Sequence, residues 1–208
     1  MTQYGFYFDS SRCTGCKTCE LVCKDYHDLG PGILFRRVYD YEGGAWARKD
    51  DGTWEKTAFN YHVALSCNHC DSPACVANCP TGAMRKDEET GLVTSAPAVC
   101  IGCGTCRSAC PYDAPRIDAD SNVSRKCDGC LARVREDEEP MCVGACPLRA
   151  LEFGPIEELR EKHGDLAQIP PMPEPSTSPN IVIGSCQAID SDAYDVGEGY
   201  VANPLEVE

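Results

Sequence analysis

Residues 99–111 read VCIGCGTCRSACP, in which four cysteines follow the spacing C-x2-C-x2-C-x3-C and a proline follows the last cysteine. This is the spacing of bacterial [4Fe–4S] ligand segments. To place three closely spaced thiolates on one cluster, the backbone must curl around it, and its N–H groups then point towards sulfur. The same spacing occurs in residues 13–23, so the chain carries the pattern at least twice.

Sixteen of the seventeen cysteines fall into four groups of four, which we call quartets 1 to 4 in chain order. Their members are Cys13, Cys16, Cys19 and Cys23; Cys67, Cys70, Cys75 and Cys79; Cys100, Cys103, Cys106 and Cys110; and Cys127, Cys130, Cys142 and Cys146. Four cysteinyl quartets predict four [4Fe–4S] clusters and a protein that stores and passes electrons. Cys186 stands outside the quartets and is predicted to be a free thiol.

The fourth cysteine of a quartet in a two-cluster ferredoxin ligates the neighbouring cluster. Residues 81–93, between quartets 2 and 3, have the turn and glycine pattern expected inside such a ferredoxin, so these quartets pair and quartets 1 and 4 pair by elimination. The predicted ligand sets are set I, Cys13, Cys16, Cys19 and Cys146; set II, Cys23, Cys127, Cys130 and Cys142; set III, Cys67, Cys70, Cys75 and Cys110; and set IV, Cys79, Cys100, Cys103 and Cys106.

The residue before the second cysteine of a quartet must let the backbone approach the cluster closely, which favours glycine. Gly15, Gly102 and Gly129 hold this position in three quartets, and His69 holds it in quartet 2. Because that quartet already has four cysteines, His69 is interpreted as a packing or supporting residue. The other histidines are scattered, and the sequence has no Ser/His/Asp set, phosphate loop or nucleotide fingerprint, so we expect no catalytic site.

The formal net charge of −14 argues against binding nucleic acid or an anionic lipid surface through bulk charge. Basic residues nonetheless adjoin the quartets, where a positive charge could raise a cluster potential. Taken singly, each is predicted to be a solvated surface residue. They are Arg12, Lys17, Lys24, Arg107, Arg125 and Lys126.

The segments around the quartets predict a mixed α+β fold. Residues 4–8 indicate a strand, and a helix is expected over residues 19–26. Residues 59–65 alternate between apolar and polar side chains, and they are predicted to pair with residues 33–41 as a β-hairpin across glycine-containing turns. A further helix is expected over residues 155–163, beginning with Pro155 and ending at Gly164.

The predicted architecture is two nested ferredoxin-like two-cluster units with an insertion and a tail. The expected division is an outer unit (1–30 and 111–165), a β-hairpin insertion (31–66), an inner unit (67–110) and an extended C-terminal tail (166–208). The tail begins with a proline-rich stretch and becomes acidic, so alone it would be disordered. We expect it to wrap a neighbouring subunit.

Other interpretations of so many cysteines are less consistent with the spacing. A disulfide framework rarely repeats one tight spacing four times. A zinc ribbon fits the spacing of quartet 4 alone, because each of the other quartets crowds three cysteines into a short segment.

No signal peptide is expected, since residues 1–13 lack a basic region followed by an apolar one. No apolar run approaches the ~18 residues of a membrane span, so direct membrane insertion is not expected.

Beyond the quartets, the whole chain resembles the iron–sulfur subunit of dimethyl sulfoxide reductase, within the molybdopterin-oxidoreductase group. The cysteine motifs are shared with subunits of formate dehydrogenase, nitrate reductase, polysulfide reductase and tetrathionate reductase. The insertion and the C-terminal segment favour the dimethyl sulfoxide type. The segments that carry the resemblance are 3–25, 29–44 (LGPGILFRRVYDYEGG), 66–84, 99–115, 126–130, 142–164 and 179–183 (PNIVI).

The resemblance implies an electron-transfer subunit of a three-subunit complex in anaerobic respiration. A molybdopterin-containing catalytic subunit would reduce the substrate near set I, and an integral membrane anchor would oxidise menaquinol near set IV. Such subunits are exported folded with a twin-arginine partner, which implies the extracytoplasmic face of the membrane, although cytoplasmic-facing complexes exist. Because Cys103 is present where some relatives lack cysteine, set IV is expected to hold a complete [4Fe–4S] cluster.

Three other functions remain open from the sequence. The chain could serve a related complex that acts on tetrathionate, selenate, polysulfide or formate. It could be a free polyferredoxin, although a soluble shuttle needs neither the hairpin insertion nor the tail. It could be an enzyme in its own right, which the absence of a substrate-site motif disfavours.

Overall fold

The computed structural model describes residues 2–207, which form short strands and helices joined by loops. The strands are β1 (Tyr4–Asp9), β2 (Arg37–Gly43), β3 (Trp46–Arg48), β4 (Trp54–Lys56), β5 (Phe59–Leu65), β6 (Met84–Lys86), β7 (Val93–Ser95), β8 (Arg116–Ile117), β9 (Ser124–Arg125), β10 (Leu151–Pro155), β11 (Ile181–Gly184) and β12 (Tyr200–Val201). The helices are α1 (Thr18–Tyr26), α2 (Ala74–Ala77), α3 (Thr105–Ala109), α4 (Leu131–Val134), α5 (Met141–Gly144), α6 (Ile156–His163), α7 (Gln187–Asp190) and α8 (Pro204–Val207), with 3-10 turns at Pro97–Val99 and Val196–Glu198. This mixture confirms the predicted α+β class.

Within the described residues, none of the helices has both the length and the apolar character that crossing a membrane requires.

Strand β1 is the centre of a three-stranded sheet in the order β10-β1-β11. It pairs antiparallel with β10 and parallel with β11, so that Phe6 faces both Phe153 and Ile181 across the ladder. Phe6 and Phe8 are almost fully buried, because the sheet packs against the main hydrophobic cluster of the protein. The predicted strand over residues 4–8 is confirmed, and β10 and β11 bring distant parts of the chain to it.

The insertion forms the predicted hairpin, with β2 antiparallel to β5 from Arg37↔Leu65 to Gly43↔Phe59. The first strand begins at Arg37, later than the Ile33 expected from the sequence. Between these strands the chain forms a second small hairpin of β3 and β4. Its tryptophans, Trp46 and Trp54, are each 61 % exposed, so neither packs into the core.

The helices of the cysteine segments contact one another in pairs. Helix α1, which carries cysteines of quartet 1, packs against α5 of quartet 4, and α2 of quartet 2 packs against α3 of quartet 3. Two short hairpins, β6–β7 and β8–β9, connect these segments. The division into an inner and an outer unit remains a prediction.

The C-terminal region returns to the chain's own sheets. Strand β11 pairs with β1, and β12 pairs with the edge of β2. Asn203 fastens the end of the chain, because its Oδ1 accepts from Asp40 N (2.8 Å) and its Nδ2 donates to Val38 O (2.9 Å). Disorder was expected for the isolated tail, but these contacts order it on its own chain. Wrapping of a partner by residues 166–208 remains a prediction.

Candidate iron–sulfur site

All seventeen cysteines lie within residues 2–207, and none of them is joined to another by a disulfide bond, so the structure does not support the disulfide framework considered from the sequence. Cys186 is buried in the main hydrophobic cluster.

Three cavities are lined by complete sets of predicted ligands. One cavity is lined by set I together with Val38 and Leu151. A second is lined by set IV together with Met84 and Ile117. A third is lined by set III together with Val93 and Tyr112. In each cavity, cysteines that are distant in sequence face one small space with mostly apolar walls.

The cysteines of set II are close enough to influence one another's charge. Burial raises the pKa of the Cys23 thiol, and the neighbouring Cys127 and Cys142 raise it further. Burial likewise raises the pKa of Cys130 to about 11, and Cys142 adds to the effect. Because thiolates are the ligating form, binding a metal centre in these buried sites must release protons.

The loops that carry the cysteines require left-handed backbone before the second ligand. Gly15, Gly102 and Gly129 have φ values of +66°, +68° and +73°. A Cβ atom at Gly15 would lie 2.6 Å from the ring of His62, so space as well as backbone conformation restricts this position. His69 adopts a φ of +44° at the equivalent position of quartet 2.

Hydrogen-bond donors surround the ligand sulfurs. Backbone N–H groups of Ala150 and Ser124 donate to Cys146 Sγ and Cys100 Sγ, each at 3.3 Å. The Thr177 hydroxyl donates to Cys70 Sγ at 3.1 Å. Such donors stabilise the negative charge of a thiolate-bound iron–sulfur cluster.

Two buried donors at set III indicate that the cavity fits a group with acceptor atoms. Asn68 Nδ2 and the Tyr112 hydroxyl have no hydrogen-bond partner within residues 2–207, although both residues line this cavity. Unpaired buried donors are costly. The sulfide and thiolate sulfurs of a [4Fe–4S] cluster would supply acceptors, so the residues present fit the group that the cysteine spacing implies.

Two fully buried cations lie among the cysteines. Burial alone lowers the pKa of Arg36, but the thiolates of Cys142 and Cys19 outweigh it and the pKa is raised. Arg36 is therefore close enough to cysteines of both set I and set II to interact with their charges. The prediction that Lys126 is a solvated surface residue is wrong, because Lys126 is 4 % exposed and lies beside Cys67 and Cys127, between sets II and III.

Sequence reasoning did not single out Arg36, Asn68, Tyr112 or Thr177. Arg36 is one of two adjacent arginines at the start of β2, with nothing in the sequence to mark it, and the others have no motif of their own. It also interpreted His27 as isolated, whereas its Nε2 lies 3.6 Å from Cys130 Sγ and 3.9 Å from a carboxylate oxygen of Asp128.

The predicted ligand sets can be ordered as a series from I to IV. Arg36 is near ligands of sets I and II, Lys126 is near ligands of sets II and III, and α2, which carries Cys75 of set III, contacts α3, which carries Cys106 of set IV. Of the cysteines, all of which the structure describes, Cys16 of set I and Cys103 of set IV are the exposed ones. The middle of the series is buried.

The sequence also matches known iron–sulfur proteins. Residues 58–156 match a 4Fe–4S dicluster domain, and residues 10–26 match a 4Fe–4S binding domain. The chain is 56 % identical to YnfG, a probable anaerobic dimethyl sulfoxide reductase subunit of Escherichia coli (strain K12), and 54 % identical to the B subunit of anaerobic dimethyl sulfoxide reductase of the same organism, each over 99 % of both proteins. It is 33 % identical to the B subunit of polysulfide reductase of Wolinella succinogenes, over 85 % of this chain and 88 % of that one.

The fold, the cysteine loops and the domain matches together define an iron–sulfur protein of the 4Fe–4S dicluster type. The similarity along nearly the whole chain is more specific than this class. The chain belongs to the family of the anaerobic dimethyl sulfoxide reductase B subunit, the iron–sulfur electron-transfer subunits of dimethyl sulfoxide reductase-type complexes.

Proposed function

We propose that the chain binds four [4Fe–4S] clusters, one on each of the ligand sets I to IV. The three cavities lined by sets I, III and IV support this assignment, as does the mutual charge effect among the cysteines of set II. The unpaired donors at set III and the buried cations between sets fit anionic clusters. The clusters supply one-electron redox chemistry, and the protein supplies their positions and electrostatic environment.

We infer that the chain relays single electrons between two partners and is not itself catalytic. One observation carries this inference: the exposed ligands Cys16 and Cys103 belong to the first and the last sets of the series. Such a series offers an entry and an exit, while the buried sets between them are shielded from water.

The partners that we propose follow from the family. One is a molybdopterin-containing catalytic subunit, near set I, which reduces dimethyl sulfoxide or a related S- or N-oxide in anaerobic respiration. The other is an integral membrane anchor, near set IV, which oxidises menaquinol. The chain would then associate with the membrane through its partners, on the extracytoplasmic face. The relatives support the existence of partner subunits, because each is named as one chain of a dimethyl sulfoxide reductase and such a name implies further chains.

The test is anaerobic purification of the chain with whatever binds it. We expect a brown complex with a molybdenum-containing subunit and a membrane subunit, with four iron and four sulfide per ligand set. A quinol should drive the reduction of dimethyl sulfoxide by this complex. The rate is compared with the rates for trimethylamine oxide, selenate and tetrathionate. A colourless chain would exclude the clusters. A brown chain that binds no partner would instead indicate a free polyferredoxin.

A further inference from the structure

Sets II and III meet at a polar junction made by three residues. Lys126 precedes Cys127 of set II in the chain, and His69 precedes Cys70 of set III. Each of the two side chains reaches across to a ligand of the other set, and both are hydrogen-bonded to the backbone of Val93. The junction is therefore reciprocal and shares one anchor in β7.

Lys126 is held by acceptors only. Its Nζ donates to Cys67 Sγ at 3.5 Å, to Cys127 O at 2.7 Å and to Val93 O. A neutral amine has two protons and a lone pair, whereas an ammonium group has three protons and no acceptor. With Cys67 as a cluster-bound thiolate, all three neighbours of Nζ are acceptors, which favours the ammonium form, so Lys126 places a positive charge between the sets.

His69 is held in one tautomer. Its ring is completely buried, and Nδ1 accepts a hydrogen bond from Val93 N at 2.9 Å. The ring proton must then be on Nε2, which lies 3.9 Å from Cys127 Sγ and donates towards it. The imidazole is consequently neutral and offers a directed donor to a ligand of set II.

A cluster that accepts an electron gains negative charge. In a buried position this gain is costly, because the surrounding medium has a low dielectric constant. A nearby fixed cation or hydrogen-bond donor stabilises the reduced state more than the oxidised state, and so it raises the reduction potential. The buried middle of the series is where such compensation matters most, since the end sets have solvent at exposed ligands.

We propose that Lys126 and His69 form a bridge between sets II and III that raises the reduction potentials of the clusters held there, keeping the buried middle of the series reducible. Lys126 acts on both clusters through its charge, and His69 acts on the set II cluster through its hydrogen bond to Cys127. No proton moves, because Lys126 retains three protons and His69 retains its tautomer. This inference rests on the proposed ligand sets.

The test is a potentiometric EPR titration of the intact complex. Lys126→Met should lower two of the four midpoint potentials, so that the ratio of reduced to oxidised cluster at a fixed potential falls at least tenfold, or 59 mV for one electron. Lys126→Arg, which keeps the charge, should shift both less. His69→Asn, which tolerates left-handed backbone, should lower one potential. The matched control is Lys86→Met, because Lys86 contacts Cys70 O but is paired with Asp71.

The result separates this inference from the proposed function. If the unaltered complex lacks four clusters, the proposed function fails. The proposed bridge is refuted if the unaltered complex has four clusters and both Lys126→Met and His69→Asn keep the ratio of reduced to oxidised cluster within twofold of the unaltered value at every cluster. A shift in Lys86→Met as large as that in Lys126→Met would also overturn it. Should Lys126→Met lose a cluster, Lys126→Gln, which keeps a donor without charge, is titrated by the same criterion.

Discussion

The guanidinium carbon of Arg36 lies 4.8 Å from the centre of the Phe6 ring, and both side chains are buried. Phe6 belongs to β1, and Arg36 precedes β2, so this cation–π contact joins the central sheet to the hairpin insertion. Arg36 also donates to Ala64 O and to Ser66 Oγ, each at 3.0 Å. The guanidinium is thereby fixed between an aromatic face and the cysteines of sets I and II.

Replacing Arg36 by methionine should destabilise the loaded protein. Removing one partner of a buried charge arrangement costs about 3–5 kcal/mol, because the remaining charge is left uncompensated. We expect iron loss from sets I and II and a fall in thermal midpoint on the order of 10 °C. Iron analysis and thermal unfolding of the complex measure both. Arg48→Met, in the exposed strand β3, is the control. If Arg36→Met has the same iron content and thermal midpoint as this control, the prediction is contradicted.

Replacing Cys103 by serine should alter one cluster only. Cys103 is exposed and lines the set IV cavity, so loss of its thiolate frees one iron at the surface. We expect the oxidised complex to show a [3Fe–4S] EPR signal that the unaltered complex lacks. The control is Cys186→Ser, since Cys186 lies outside the four sets and should leave the spectrum unchanged. An unchanged spectrum for Cys103→Ser would refute its assignment as a ligand.

Substitutions at two glycines near Cys103 allow the effect of backbone strain to be measured separately from that of a steric clash. Gly102 and Gly104 have φ values of +68° and +76°, so alanine is strained at either position by about 1–2 kcal/mol. A Cβ at Gly102 would also collide with the backbone oxygen of Asn122, whereas a Cβ at Gly104 meets nothing within 4 Å. Gly102→Ala should therefore lower the thermal midpoint clearly more than Gly104→Ala and disturb the set IV EPR signal. Equal falls in the thermal midpoint for the two variants would contradict the prediction, because they would show that the structure relaxes to remove the collision at Gly102.

Replacing Asn203 by alanine should loosen the end of the chain. The change removes both hydrogen bonds to β2, which together contribute about 1–3 kcal/mol. We expect amide hydrogen exchange in residues 200–207 to accelerate about tenfold, with exchange in β5 unchanged. Leu205→Ala is the control, because Leu205 is 87 % exposed. If exchange is unaffected in the isolated chain, the hydrogen bonds of Asn203 do not hold this segment.

Local patterns predicted the local parts of the fold. The strand beginning at Tyr4, the alternation of residues 59–65 and the proline and glycine around α6 each specify structure within a few residues. The ligand sets were also proposed from spacing, because a cluster constrains neighbouring cysteines strongly. These sets remain predictions, although the cavities are arranged consistently with them.

Contacts between distant segments could not be predicted in this way. The parallel pairing of β11 with β1 depends on where a long tail returns. The burial of Arg36 and Lys126 contradicts the usual preference of these residue types for solvent, and the compensating cysteines and carbonyl oxygens come from other parts of the chain. The ring orientation of His69 depends on Val93, which lies in another part of the sequence.

Exposure of Cys16 and Cys103 has a chemical cost. In the proposed relay, the openness that would let electrons enter and leave would also admit dioxygen and other oxidants to the terminal sulfurs and to the iron that they would hold. Oxidative damage should therefore begin at the two ends and reach the enclosed centres last. Partners that cover these ends would act as shields as well as redox neighbours, which ties the durability of the protein in air to its state of assembly.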